Sequence, residues 1–257
     1  MNKTVTIDSF PSHVKKYRNG YAIIAIDVIR ATTMAITAVA TGRRCFVANS
    51  IEAALGLASQ LDQPLLAGEL AGEIPKGFEM NNSPAELVLR ADVHRPLVLL
   101  SSSGTKLMCE ATKCDGVAYI ACFRNYLSTA QSVIGRYPRV AVIGAGSREE
   151  FRDEDQMCCA WIADHLIAAG YTAGDSETAQ IVDSWRGSPP SACRDSKSVA
   201  YLRRTGQLRD LEFILAHIND LDSVIIEGNE VVAAATPSAE LSVSSMPHAQ
   251  HVDNLIV

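Results

Sequence analysis

The feature that most constrains the fold is a regular alternation of short apolar runs with longer segments whose apolar residues recur at helical spacing. The runs are rich in Val and Ile, and several, such as AIIAI and LVLL, are apolar throughout. Continuous apolar strands are typical of parallel sheets covered by helices on both faces. The chain is therefore predicted to be α/β, with a mostly parallel sheet flanked by helices and a helical C-terminal portion. Strands are predicted at residues 4–7, 22–27, 45–47, 64–67, 97–100, 116–120 and 140–144, and helices at residues 31–40, 51–61, 84–89, 105–112, 125–134 and 154–168.

The pattern changes after Gly170, and this change divides the chain into three predicted regions. Residues 1–170 are predicted to form the α/β core that carries the active site. Residues 171–235 are predicted to be mainly helical, with one short strand at 223–226, either as part of the same domain or as a lid. Residues 236–257 are polar with scattered apolar positions, which indicates a tail. The C-terminal helices and the tail are also the candidates for a homodimer interface.

Length and composition exclude several classes of protein. A chain of 257 residues can bury a large core without disulfides or a structural metal. No apolar run reaches the ~18 to 20 residues of a membrane span, and the N-terminus lacks a secretory signal, so a soluble cytoplasmic protein without a membrane partner is expected. Seven cysteines with no C-x₂-C pair argue against a disulfide framework and a zinc ribbon. The net charge of −6 argues against nucleic acid as the partner.

The first candidate site follows the second predicted strand. Ligands of open α/β sheets bind beyond the carboxyl ends of the strands, next to helix N-termini. Here Asp27 ends an apolar strand, Arg30 follows, and Thr32 and Thr33 open the next helix. A carboxylate at this position can hold Mg²⁺ or attack phosphorus, and a guanidinium fork suits phosphate oxygens. The alternative is a structural Asp–Arg pair with threonine helix caps.

Two further junctions carry groups that can bind an anion. Asn82 and Ser83 precede a proline, so Ser83 is a candidate helix N-cap and Asn82 could face a ligand; the alternative is a solvated loop. Ser103, Gly104 and Thr105 lie between a strand and a helix, where backbone N–H groups can cradle an anion; an ordinary Ser/Gly turn is the alternative. The turn has neither Walker A spacing nor a G-x-S-x-G elbow, which argues against a nucleotide loop and a serine hydrolase.

The fourth junction is acidic. Glu154 and Asp155 open the helix predicted at 154–168, where carboxylates are favoured by the helix dipole alone. They are also candidates, with Asp27, for Mg²⁺ ligands, because Mg²⁺ takes one or two carboxylates plus water and substrate oxygens. Phosphoryl transfer mainly requires positioning and charge neutralisation. The four junctions together therefore predict a Mg²⁺-dependent phosphatase for a small anionic phosphate ester.

These segments, taken in order, resemble the 2-phosphosulfolactate phosphatase family of coenzyme M biosynthesis. The similarity runs from about residue 20 to residue 170, and more faintly through Arg203 and Asp210. It rests on Ile26-Asp27-Val28-x-Arg30-Ala31-Thr32-Thr33, Gly77-Phe78 leading to Asn82-Ser83-Pro84, the turn at 102–105, and Phe151-x-x-Glu154-Asp155. The resemblance implies a Mg²⁺-dependent enzyme that converts phosphosulfolactate to sulfolactate and phosphate. The site residues that it implies are Asp27, Arg30, Thr32, Thr33, Asn82, Ser83, Gly104, Thr105, Glu154 and Asp155.

Two departures from the family's usual sequence leave alternatives open. Ser103 stands where the family's turn usually has Asn, and Leu70 stands where a positive charge usually follows Gly-Glu. The alternatives are a phosphatase for a different phosphorylated hydroxy acid and a non-catalytic protein that binds a phosphorylated metabolite. Attack by water and attack by a carboxylate also both remain open. An aspartyl-phosphate route would normally show D-x-D, and residue 29 is isoleucine.

Overall fold

The computed structural model describes residues 2–147 and 150–234, and within these ranges the chain forms ten strands and nine α-helices. The strands are β1 (Thr4–Ser9), β2 (Ala22–Ile26), β3 (Cys45–Ala48), β4 (Leu65–Gly68), β5 (Leu97–Leu100), β6 (Ala118–Ala121), β7 (Arg139–Gly144), β8 (Thr172–Ala173), β9 (Val224–Glu227) and β10 (Glu230–Ala233). The helices are α1 (Ala31–Ala40), α2 (Ile51–Ala58), α3 (Pro84–Leu87), α4 (Gly104–Ala111), α5 (Tyr126–Val133), α6 (Asp153–Ala168), α7 (Ser176–Trp185), α8 (Lys197–Arg204) and α9 (Leu208–Ala216). Two 3-10 helices, Pro11–Tyr17 and Pro190–Asp195, complete the elements.

The ten strands form one sheet in the order β4-β5-β3-β10-β9-β6-β2-β7-β1-β8. Strands β6, β2, β7, β1 and β8 are mutually parallel, as are β4, β5 and β3. The hairpin β9–β10 lies between these two sets and pairs antiparallel with β6 on one side and with β3 on the other. The sheet is therefore mostly parallel, and the C-terminal hairpin joins its two halves.

The predicted α/β class with a mostly parallel sheet is confirmed. The seven strands and six helices predicted before residue 170 are all present, with ends that shift by at most three residues. Neither β8 nor β10 is predicted from the sequence, because β8 has only two residues and a short apolar run such as that of β10 also suits a helix. Within 171–234 the structure has the predicted helices, α7 to α9, and it also places two strands of that region at the sheet centre. The predicted tail lies outside the described residues.

Helix α1 shows how the core determines the site. Its first eight residues, from Ala31 to Ala38, are all buried, because the helix contacts β3 and β5 on one side and β6 and β10 on the other. Small Ala and Thr side chains allow this close approach to both halves of the sheet. The N-terminus of α1 is consequently fixed at the carboxyl end of β2, whose five residues are completely buried. A helix anchored in this way presents its first turn in a defined position.

No helix among the described residues combines the length and apolar character needed to cross a membrane.

The central position of the hairpin predicts a stability effect. Ile226 of β9 is 7% exposed and lies in the main core, whereas Ile74 is 48% exposed. We expect Ile226→Ala to lower the free energy of unfolding by about 2 to 5 kcal/mol, because it leaves a cavity in the core. The matched Ile74→Ala change should stay within about 0.5 kcal/mol of the parent. Urea denaturation measures both, and equal losses would contradict the central placement of the hairpin.

Candidate active site

Two buried threonines hold the turn between β2 and α1. Thr32 Oγ1 donates to Asp27 O at 2.7 Å and accepts from Asp27 N at 3.0 Å, and Thr33 Oγ1 donates to Val28 O at 2.8 Å. The Ala31 N–H donates to Asp27 Oδ1 at 3.1 Å and so fixes one carboxylate oxygen. The threonine hydroxyls thus serve the turn itself, and their assignment to substrate binding stays a prediction.

The turn between β5 and α4 is closed in a similar way and lies directly against Asp27. Ser101 and Thr105 exchange side-chain to main-chain hydrogen bonds of 2.8 to 3.0 Å. At Gly104 a Cβ atom would lie only 2.1 Å from Asp27 Oδ2, so glycine is required for this approach. Ser103 precedes the helix, and its hydroxyl makes no hydrogen bond with any described residue. Two junctions far apart in the sequence therefore meet at the Asp27 carboxylate.

The first turn of α6 brings two more carboxylates to the same place. Asp155 Oδ1 accepts a hydrogen bond of 2.7 Å from the Val28 N–H, one residue beyond Asp27. Glu154 is fully buried, and neither of its oxygens has a hydrogen-bond partner among the described residues. Buried polar atoms without partners are rare and costly in folded proteins. The structure thus brings Asp27, Glu154 and Asp155 near one another, and their roles as metal ligands stay predictions.

Burial and mutual repulsion raise the pKa of all three carboxyl groups. Loss of solvent raises the pKa of Asp27 to about 7; the Ala31 N–H opposes this change, and the charges of Glu69 and Glu154 add to it. Loss of solvent, followed by the charges of Asp27 and Glu154, raises the pKa of Asp155 well above its usual range. Burial also raises the pKa of Glu154; the hydroxyls of Ser198 and Ser196 lie close enough to lower it in part, although neither meets the geometry of a hydrogen bond to Glu154. The site therefore favours either bound protons or a bound cation.

Arg30 lies beside this cluster and is itself almost fully buried, at 4% exposure. One terminal nitrogen, Nη1, donates to both Asp210 and Gln207, and the other, Nη2, donates to Asn81 Oδ1 at 3.1 Å. Its acidic partner is therefore Asp210 of α9, and the structural Asp27–Arg30 pair considered as the alternative does not form. Among residues 2–147 and 150–234, Arg30 Nε donates to no acceptor.

The loop before α3 contributes the predicted residues Asn82 and Ser83. Ser83 caps α3, because its Oγ accepts from Glu86 N at 3.2 Å, and the same hydroxyl donates to Asp210 Oδ1 at 2.6 Å. Asn82 is 3% exposed, and its Oδ1 has no hydrogen-bond partner among the described residues. The predicted N-cap is confirmed. The side chains of Asn82 and Ser83 are buried, so the alternative of a solvated loop, which would expose them, does not hold.

Sequence reasoning assigned no role to three residues that shape the site. Glu69 follows β4 and accepts from Ser102 N and Ser102 Oγ at 2.8 and 2.9 Å, which holds the β5–α4 turn. A carboxylate directly after an apolar strand was a signal for Glu69, as it was for Asp27. Gln207 and Asp210 reach the site only through the packing of α9, and no local pattern distinguishes them from a polar helix start.

The donor set fits a hard cation that needs few protein ligands. No group of three or more His, Cys, Asp or Glu side chains within the described ranges could hold a metal by itself. Mg²⁺, however, takes one or two carboxylates and completes its shell with water and substrate oxygens. The two orphaned Glu154 oxygens and the second oxygens of Asp27 and Asp155 are acceptors of that kind. The residues present therefore fit Mg²⁺.

A separate cavity of about 880 Å³ lies at the end of β1, between the first turn of α6 and α7. Asp8 faces it and is bound by His13 Nδ1 at 2.7 Å, Tyr17 Oη at 2.7 Å and Lys16 Nζ at 3.1 Å. None of the predicted catalytic or substrate-binding residues lines this cavity. The carboxylate cluster is thus buried and separate from this cavity.

Comparison with known proteins identifies the family. The model of the 2-phosphosulpholactate phosphatase family matches residues 7–230. The chain belongs to the 2-phosphosulpholactate phosphatase family. The matched span contains every residue of the carboxylate cluster and both partners of the Arg30–Asp210 pair. Membership in this family makes the chain an enzyme of the phosphoric monoester hydrolase class.

Individual members of the 2-phosphosulpholactate phosphatase family are similar over much of their length. A protein of Deinococcus radiodurans named probable 2-phosphosulfolactate phosphatase is 29% identical over 218 residues, which cover 82% of this chain and 90% of the relative. A protein of Caldicellulosiruptor saccharolyticus with the same name is 26% identical over 208 residues, 77% of this chain and 85% of the relative. One of Symbiobacterium thermophilum, also so named, is 32% identical over 152 residues, 57% of this chain and 64% of the relative.

The raised pKa of Asp27 predicts how stability depends on pH when no cation is present. The folded state retains the Asp27 proton up to about pH 7, whereas the unfolded chain loses it near pH 4. Stability from this group is therefore full below about pH 4 and is lost as the pH rises through 7. We expect Asp27→Asn to be more stable than the parent by on the order of 2 kcal/mol at pH 8 in EDTA, and the difference to disappear at pH 4.

Asp220 provides a control of opposite sign. Despite partial burial, its pKa is lowered by hydrogen bonds and charge from Arg124, which it binds at 2.6 and 3.0 Å. Asp220→Asn should therefore be less stable than the parent at pH 8, and its deficit should shrink as the pH falls through the folded pKa of Asp220. Thermal unfolding in EDTA from pH 2 to 8 measures both variants. If Asp27→Asn is less stable than the parent at pH 8, the ionised Asp27 carboxylate does not destabilise the folded state, which would contradict this prediction.

Proposed function

We propose that this enzyme is a Mg²⁺-dependent phosphatase that hydrolyses 2-phosphosulfolactate to sulfolactate and inorganic phosphate, a reaction of coenzyme M biosynthesis. The observation that carries the proposal is a group of three buried carboxylates beside a buried arginine, inside the region that matches the family. Neither oxygen of one of them, Glu154, has a hydrogen-bond partner among the described residues. Similar relatives bear the name of this activity, which supports the choice of substrate.

The phosphate end of the substrate would lie between Arg30 and the N-terminus of α4. Arg30 Nε is free of acceptors among the described residues, and a guanidinium suits phosphate oxygens. The main-chain N–H groups of Ser103 and Gly104 likewise donate to no described residue, and a helix of eight residues begins there. Free N–H groups at a helix N-terminus favour an anion. These donors neutralise and orient the phosphate without a basic protein surface, in keeping with the net charge of −6.

The carboxylates would hold the cation, with Asp27 and Asp155 as first candidates and Glu154 as the third. Bound Mg²⁺ would supply charge neutralisation at the phosphate oxygens. Asp27 has one oxygen fixed by the Ala31 N–H and the other against Gly104, so its carboxylate has a defined orientation. The pKa of about 7 applies to Asp27 without a cation, and a bound cation would keep the Asp27 carboxylate ionised.

An aspartyl-phosphate route of the D-x-D type has less support. Such a route places a second carboxylate two residues after the first, where this chain has Ile29. The Ile29 side chain packs against an apolar cluster of α8 and α9 that includes Val199 and Leu202. An isoleucine side chain has no titratable group and cannot serve as an acid or base, so we favour attack by water.

A phosphatase for another phosphorylated hydroxy acid is the second candidate. Leu70 and Ser103 replace a positive charge and an amide that the family usually has at these positions, and both are partly exposed near Glu69 and Gly104. The group that they would contact is the second anionic group of the substrate. A carboxylate-bearing phosphomonoester without a sulfonate is therefore the rival substrate.

The state of the cysteines is relevant to the cellular compartment in which the enzyme acts. All seven are free thiols, and five of them are buried. Disulfides are rare in reducing compartments. We propose that the enzyme acts in the cytoplasm.

Phosphate release tests the proposed function with two glycine variants as a matched pair. The parent should release phosphate from 2-phosphosulfolactate with Mg²⁺, and EDTA should abolish the release. Gly104→Ala should lower kcat/KM by about 100-fold, because the added Cβ must displace the Asp27 carboxylate. Gly56→Ala adds the same methyl group inside α2, where a Cβ meets nothing within 4 Å, and should leave the rate unchanged.

The same assay run over phosphorylated three-carbon acids, with and without a sulfonate, decides between the two substrates. A higher kcat/KM for a carboxylate-only ester would replace the proposed substrate and retain the phosphatase. If EDTA does not affect turnover, the enzyme needs no divalent cation, and the proposed Mg²⁺ dependence is wrong. Absence of any phosphate release with Mg²⁺ would leave a protein that binds a phosphorylated metabolite without hydrolysing it.

A further inference from the structure

Arg30 is held by side chains from two separate segments of the chain. Nη1 donates to Asp210 Oδ2 and Gln207 Oε1 at the start of α9, and Nη2 donates to Asn81 Oδ1 in the loop before α3. Asn81 Nδ2 also reaches Gln207 Oε1 at 3.4 Å, which closes a ring of contacts around the guanidinium. An arginine with both terminal nitrogens engaged in this way has little rotational freedom.

Asp210 is the only charged side chain among these three partners of Arg30. The ion pair that it forms with Arg30 is buried, unlike a surface ion pair. Asp210 is 2% exposed and Arg30 is 4% exposed. Oδ2 accepts from Arg30, while Oδ1 accepts from Ser83 Oγ at 2.6 Å and Ala85 N at 3.2 Å. Both oxygens are thus satisfied by groups that belong to the β2–α1 turn and the start of α3. A fully bonded buried carboxylate fixes the geometry of each partner.

We propose that Asp210, assisted by Gln207, is the positioning residue for Arg30. It holds Nη1 so that the unengaged Nε edge of the guanidinium remains available to a phosphate oxygen. The C-terminal helices, which from sequence could be part of the same domain or a lid, are thereby a required part of the active site. This inference rests on the proposed function of Arg30 as a phosphate-binding group.

Asp210 could either orient the Arg30 guanidinium or only neutralise its charge. The charge of Arg30 already acts on the Asp27 carboxylate, so Arg30 has an anionic neighbour without Asp210. Directional hydrogen bonds to Nη1 are what Asp210 adds. Asp210→Asn keeps the shape and an acceptor for Ser83 but loses the ionic hydrogen bond to Arg30. The change should therefore act on anion binding through the orientation of Arg30.

The test uses two readouts, affinity for inorganic phosphate by calorimetry with Mg²⁺ present, and kcat/KM for the phosphate ester. We expect Arg30→Ala and Asp210→Asn each to weaken phosphate binding by at least 10-fold and to lower kcat/KM by about 100-fold. The double variant should be no worse than Arg30→Ala alone, because Asp210 acts through Arg30. Added methylguanidinium should restore part of the activity of Arg30→Ala and none of that of the double variant.

Asp220→Asn is the matched control. Asp220 also pairs with an arginine, Arg124, and also joins the C-terminal region to a turn that follows a sheet strand. Its removal tests the effect of losing such a pair away from the carboxylate cluster, and it should leave phosphate affinity unchanged. If Asp210→Asn does not fold, Gln207→Leu replaces it, since Gln207 is only partly buried and binds the same Nη1. A smaller loss, of several-fold, is then expected.

The outcomes distinguish this inference from the proposed function. If no ester is turned over but phosphate affinity follows the expected pattern, the phosphatase proposal fails and the role of Asp210 stands. If the parent is active and Asp210→Asn or Gln207→Leu behaves like Asp220→Asn, the positioning role is overturned and the phosphatase stands. Multiplicative losses in the double variant also overturn it. A parent that neither binds phosphate nor turns over ester overturns both.

Discussion

Desolvation of negative charge is the constraint on which the rest of the site depends. Asp27, Glu154 and Asp155 are buried together, and several of their oxygens accept no hydrogen bond from the described residues. Burying a carboxylate without a partner costs several kcal/mol, so the fold must supply compensation elsewhere or the carboxyl groups must take up protons. The raised pKa of each group reflects this unfavourable burial of charge. Binding of a cation would offset the unfavourable free energy of these buried charges. The same arrangement that lowers the stability of the protein without a cation is therefore suited to a metal-assisted reaction.

The fold supplies the compensation through a rigid scaffold around the cluster. Helix α1 is clamped between both parallel sets of strands, and two turns closed by buried threonines fix the chain on either side of Asp27. The hairpin β9–β10 reverses the strand direction between the two sets. Although β2 and β5 run in opposite directions, the turns that follow them meet, because Gly104 lies directly against the Asp27 carboxylate. Small residues at α1 and at Gly104 are what make these approaches possible.

The sequence predicted those parts of the structure that depend on local pattern. Apolar runs such as AIIAI located the strands, and Asp27 could be singled out because it ends one of them. Contacts between distant segments were beyond local reasoning. Nothing near Asp210 in the chain indicates that it pairs with Arg30, and β10 is half-exposed and polar at its start, so its central place in the sheet follows only from pairing with β3. The threonines at 32 and 33 show a further limit, since a hydroxyl placed to bind a ligand is indistinguishable in sequence from one that closes a turn.

Diffraction from crystals soaked in Mn²⁺, a stand-in for Mg²⁺ with strong anomalous scattering, tests the central claim most directly. The account predicts one anomalous peak within about 2.0 to 2.2 Å of carboxylate oxygens of Asp27 or Asp155, with Glu154 in the first or next layer of contacts. The peak should be absent from crystals of the Asp27→Asn variant. Saturating Mn²⁺ that supports turnover but leaves no peak at these carboxylates would contradict the account, because their burial would then have no counterpart in a bound cation.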